Sequence, residues 1–97
     1  MRKNYQKERN LEMYKAVLEL KTVDECKAFF DDLCSITEIL AMEQRFEVAR
    51  LLYQDRIYSD IMEKTGASSA IISRVNRSLQ TGAGGYSLVF DRLAEDK

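Results

Sequence analysis

The sequence predicts an all-α fold of six helices, and three observations carry that prediction. No proline occurs in the 97 residues, and all four glycines fall between positions 66 and 85. Leu, Glu, Lys, Arg and Ala are plentiful, all residues that lose little on entering a helix. Finally, the stretch from Tyr58 to Gly82 reads as a short helix, a tight turn at Gly66-Ala67-Ser68, and a longer helix. Counting from the turn, Ile61 lies on the inner face of the first of these helices. Ile72 and Val75 lie three apart on one face of the second, where the two sets can meet. Gly66 suits a helix end that needs φ > 0. Ser68 or Ser69 can cap the helix that follows.

The elements follow in order. From about Asn4 to Lys21, Leu11, Tyr14, Val17, Leu18 and Lys21 recur at helical spacing, with Met13, Ala16 and Leu20 widening the stripe. The basic opening residues read as a frayed arm, with an accessory phosphate contact as the other reading. Thr22 and Glu25 have capping-box spacing and open a second helix with Val23, Cys26, Phe29, Phe30 and Leu33 on its buried side. Ser35 and Glu38 repeat the spacing and open a third, running to about Gln54. Ile36, Ile39, Leu40, Met42, Phe46, Ala49, Leu51 and Leu52 cover too much of its circumference for one neighbour. A second copy of the chain is the natural cover. Residues 53–57 connect to the helix–turn–helix pattern, in which Ile57 lacks the N-cap hydroxyl and points to a start nearer Ser59. Residues 81–85 reverse the chain, and Tyr86, Leu88, Val89, Phe90 and Leu93 form the last helix.

Composition narrows the function classes. The length suits a single domain over residues 1–97. No apolar run approaches a membrane span, and the charged opening lacks a signal-peptide core, which points to the cytoplasm. Without histidine, neither a single-chain zinc site nor a catalytic constellation is expected, so the chain is read as no enzyme and as needing no metal or cofactor. Cys26 and Cys34, ~12 Å apart along one helix, are too distant to pair and read as buried thiols. The glycines at 82, 84 and 85 make no nucleotide loop: no Gly-Lys-Ser/Thr follows, and Ser87 stands where a dinucleotide fingerprint needs glycine.

The net charge of −1 is unevenly spread. Residues 1–21 carry six basic against three acidic side chains, residues 22–63 four against ten, and residues 64–92 four against one. A basic helix–turn–helix segment after an acidic scaffold favours a localised DNA-facing surface. The helix after the turn exposes Ser69, Ala70, Ser73, Arg74 and Arg77, small near its start and cationic beyond, as entry into a major groove requires. Lys64, Ser68, Ser69, Ala70, Ser73, Arg74 and Arg77 are thus the candidate DNA-binding residues. An ordinary helical hairpin is the plain alternative. Met62 favours that alternative, because many helix-turn-helix units keep a small residue four positions before the turn glycine.

Taken together, EQRFEVARLL (43–52), EKTGAS (63–68), ISRVNRSL (72–79) and GAGGY (82–86) resemble the Trp repressor superfamily, and most closely its Trp-repressor-related YerC/YecD-type branch. The resemblance spans roughly residues 33–93. It implies an intertwined homodimer with a helix-turn-helix at about 58–81 on each subunit, acting on double-stranded DNA as a transcriptional regulator, specifically a repressor. Ser69, Ala70 and Ser73 match family residues that face the groove. Arg74 and Ser78 match residues near a ligand pocket, to which Gln44 and Arg45 would also belong. Tryptophan-responsive members clamp an indole between two arginines. Arg74 matches one; Gln44 replaces the other, with Arg45 beside it, and Val75 replaces a glycine. Tryptophan is therefore not expected as co-repressor, although another small-molecule effector has room. The competing reading is a helical protein–protein interaction module that keeps the fold without reading DNA.

Overall fold

The computed structural model describes residues 9–96 as six α-helices, with no strand among the described residues. They are α1 (Leu11–Val17), α2 (Val23–Leu33), α3 (Ile36–Tyr53), α4 (Tyr58–Thr65), α5 (Ser69–Thr81) and α6 (Gly85–Glu95). The chain divides into two compact units, one ending at Ile36 and one beginning at Thr37.

In the first unit, Asn10 caps α1 by accepting the Met13 N–H at 3.2 Å. The helix stops at Val17, short of the expected Lys21. Its end is set by the next helix: Thr22 Oγ1 accepts the Glu25 N–H at 3.0 Å, while Glu25 Oε1 accepts the Lys21 N–H at 2.8 Å. These two bonds, a capping-box variant in which Glu25 takes the N–H before the cap, accompany an extended backbone at Thr22, and residues 18–20 close α1 in turns. The expected start near Asn4 and the basic arm at Arg2, Lys3 and Lys7 lie outside the described residues. Neither α1 nor α2 has a buried residue. The expected buried side of α2 is thus corrected, with Val23 and Leu33 exposed and Phe29 and Phe30 only half-buried. The cysteines are corrected with it, since Cys26 is exposed and Cys34 half-buried, both as free thiols. Helices of 7 and 11 residues cannot enclose a core by themselves.

The second unit holds the core: Val48, Ala49, Leu51, Ile61, Ala67, Ile72, Val75 and Phe90, with Leu52, Ile71 and Tyr86 packed against it. Phe90 brings α6 to α3, its ring 5.4 Å from Phe46 and 5.1 Å from Tyr53 between centroids. The Tyr53 hydroxyl donates to the Asp91 carboxylate, and that bond holds the phenol above its ordinary pKa. Only the later half of α3 is buried; Leu40 is 58 % exposed and Phe46 40 %.

α3 ends in a Schellman motif. The Arg56 N–H reaches the Leu51 carbonyl at 3.0 Å and the Asp55 N–H reaches that of Leu52 at 2.9 Å. The residue between helix and strand-like exit is Asp55, left-handed at φ 63°. Glycine is the usual occupant, because a Cβ there crowds the following carbonyl. Asp55→Gly should therefore raise stability by about 0.5–1 kcal/mol, a rise of a few degrees in the thermal midpoint. A lowered midpoint would show that the Asp55 side chain contributes more than its backbone strain costs.

Candidate nucleic-acid interface

Helix α4 begins at Tyr58 although Ile57 makes no side-chain cap, which corrects the expected start near Ser59. The Arg56 guanidinium pairs with Asp60 in the first turn, where a carboxylate also favours the helix dipole. At the other end Gly66 is left-handed, φ 73°, and its N–H closes on the Met62 carbonyl at 2.9 Å. Met62 itself is 42 % exposed, so its bulk does not obstruct the crossing of α4 and α5. Ser68 caps α5, its hydroxyl oxygen accepting the Ile71 N–H at 3.2 Å.

Burial then fixes which face of α5 is presented. Ile72 and Val75 turn inward to the cluster that contains Ile61. Ser69, Ser73 and Arg77, spaced four apart, lie exposed along one line, with Ala70 and Arg74 exposed beside it. Lys64, exposed in the last turn of α4, and Ser68 sit next to the start of α5. The N–H groups of Ser69 and Ala70 open the helix without intrahelical partners, as the first turn of any helix does. The surface is therefore polar and small-residued at its leading end and cationic one to two turns further on.

A cleft of about 520 Å³ lies behind this face, lined by Ala41, Gln44, Arg45, Ile71, Arg74, Val75, Ser78 and Tyr86. Gln44, Arg45, Arg74 and Ser78, which spacing alone left scattered over α3 and α5, all reach it. Arg74 belongs both to the cleft and to the exposed face. Val75 stands in the cleft wall, nearly wholly buried. The Gln44 amide is engaged: Nε2 donates to the Thr65 carbonyl at 3.1 Å. Sequence reasoning missed Thr65 and Tyr86. The signal for Thr65 was a hydroxyl directly before the cap glycine, where it can bridge the turn.

The Trp repressor protein family profile matches residues 9–94. The chain belongs to the Trp repressor family. Within that family it is 46% identical to the uncharacterized protein YerC of Bacillus subtilis, over 87% of this chain and 81% of YerC. Two crystal structures agree, each with a TM-score of 0.85. A TrpR-like protein from Eubacterium eligens is 52% identical, with 92% of this chain and 95% of that one covered. A candidate Trp repressor from Staphylococcus aureus is 42% identical, with 92% of each chain covered. This is a Trp-repressor-related, YerC-type protein with the all-α fold of its family. Such membership points to a DNA-binding regulator rather than an enzyme. Among the described residues no helix is long and apolar enough to cross a membrane.

Proposed function

We propose that this Trp repressor family member is a sequence-specific DNA-binding transcriptional repressor that acts in the cytoplasm as a homodimer. The observation that carries the reading is the division of α5, with Ile72 and Val75 buried against Ile61 and Ser69, Ala70, Ser73 and Arg77 presented outward. Residues 58–81 form the helix-turn-helix of a DNA-binding domain that comprises residues 1–97. Ser69, Ala70 and Ser73 read base edges, with Arg74 beside them. Lys64, Ser68, Arg77 and the free N–H groups opening α5 take phosphates. Two such helices set ~34–36 Å apart in successive major grooves would block polymerase.

The dimer reading rests on apolar surface that one chain leaves uncovered: Leu11 and Leu18 of the first unit, and separately Leu40, Phe46, Leu88 and Leu93 of the second. Such surface is large for a monomer of this length. The wild type should sediment at twice its 11.2 kDa at micromolar concentration, and Phe46→Asp should leave it unfolded rather than monomeric. A well-folded monomer would sink the dimer.

DNA reading is tested by titrating the protein onto genomic fragments at several salt concentrations. The expected result is an affinity whose logarithm falls linearly with log salt, and a small set of fragments held at physiological salt. No salt-dependent binding would leave the interaction-module reading in its place. Tryptophan should leave both thermal midpoint and DNA affinity unchanged, because Gln44 and Val75 alter the indole clamp.

A further inference from the structure

The bond from Gln44 to the Thr65 carbonyl spans 21 residues of sequence and joins α3 to the turn that launches α5. Thr65 is the last residue of α4, so its carbonyl is one of those a helix end leaves without an intrahelical partner. Its side chain continues the connection. Thr65 Oγ1 donates to the Ile61 carbonyl at 2.8 Å and accepts the Ala67 N–H at 3.1 Å. Ala67 is buried in the core and is followed directly by Ser68, the cap of α5. Hydrogen bonds through Thr65 thus connect the wall of the cleft to Ala67, the residue directly before the cap of α5.

We propose that Gln44 is a positioning residue for DNA recognition: its amide clamps the α4–α5 turn, so the chain reads DNA with no small molecule in the cleft. The inference rests on α5 being the DNA-reading helix. A side chain able to donate at this point holds the Thr65 carbonyl from within the chain. The turn needs no outside partner, and a bound effector is unnecessary to order it. A ligand that took the Gln44 amide for itself would loosen the turn, so a molecule entering the cleft would weaken DNA binding rather than promote it.

The test compares Gln44→Met, which keeps the length and loses the donor, with Gln44→Lys, which keeps a donor. Wild type and variants are unfolded, stripped of small molecules and refolded in buffer alone. They are then titrated onto duplexes selected from a random pool and onto unselected duplexes, and amide hydrogen exchange is followed at Ala67. Stripped wild type should bind the selected duplex. Gln44→Met should keep its helical content, lose about tenfold in affinity for that duplex, as expected for one hydrogen bond, and exchange faster at Ala67. Its binding to unselected duplex should not change, and Gln44→Lys should recover much of the discrimination. Should Gln44→Met not fold, Gln44→Leu, uncharged, similar in size and without a donor, replaces it. Discrimination and exchange both unchanged in a folded donor-less variant would overturn the proposal. So would stripped wild type that binds only after a small molecule is added. A wild type that binds no duplex ends the DNA reading itself, while exchange at Ala67 still decides whether Gln44 holds the turn.

Discussion

Ile61→Ala should cost about 2–5 kcal/mol of stability, the range for removing a large aliphatic side chain from a packed core. Ile61 is 0 % exposed and is the one buried residue of α4. An eight-residue helix has no stability of its own, so α4 stays folded only while Ile61 is held in the buried cluster that also contains Val48, Ala67, Ile72 and Val75. The loss is a large part of the roughly 5–15 kcal/mol that keeps a small domain folded. Urea unfolding should show it as a lower midpoint with an unchanged slope. Met62→Ala, one residue on and facing solvent, should stay within about 0.5 kcal/mol. Equal effects from the two substitutions would mean that the face assigned to α4 is wrong. The DNA-binding consequence of Ile61→Ala should follow the unfolded fraction and touch selected and unselected duplexes alike.

Where local chemistry marks an element, it was legible in the sequence. Thr22 with Glu25, Gly66 and Ser68 announce helix ends by what their side chains can or need not do, and α2, α4 and α5 begin or end there. The end of α1 was not legible, because no breaker stands at Val17; the helix yields to the cap of α2 at Thr22, five residues on. Asp55 was illegible for a related reason. Its left-handed backbone serves the end of α3, a conformation that aspartate tolerates better than most side chains but does not by itself announce. Periodicity identified the apolar faces of α1, α2 and α3 but says nothing of what covers them, which is why the α2 residues and both cysteines were expected buried and are not.

The candidate site divides in the same way. The inward and outward faces of α5 follow from a 3.6-residue period and a known turn. The meeting of Gln44, Arg45, Arg74 and Ser78 in one cleft depends on how α3 packs against α5, a long-range fact. That the Gln44 amide is bonded to Thr65 depends on the same packing, so the residue could be read from sequence only as a ligand candidate.

Arg77→Ala and Ser73→Ala should separate holding DNA from reading it. Arg77 lies two turns into α5, beyond the end that enters deepest, and exposes its guanidinium. It is assigned to phosphate. Ser73 lies one turn in, on the same exposed line, and is assigned to a base edge. A phosphate contact carries no sequence information, so Arg77→Ala should weaken binding about equally on selected and unselected duplexes. It should also flatten the slope of log affinity against log salt by about one unit for each reading helix, because one fewer counterion is released there. Ser73 brings no charge, so Ser73→Ala should leave that slope alone. Its loss should appear as reduced discrimination at one base pair of each half-site, by ~1–3 kcal/mol where the contact is well made. Both variants change exposed side chains and should keep the wild-type thermal midpoint, which excludes unfolding as the cause. The titrations need matched and mismatched duplexes at several salt concentrations. If Ser73→Ala changes nothing and Arg77→Ala alone relaxes base preference, α5 enters the groove from its other end, and the assignment of its leading residues to base edges fails even though the protein binds DNA.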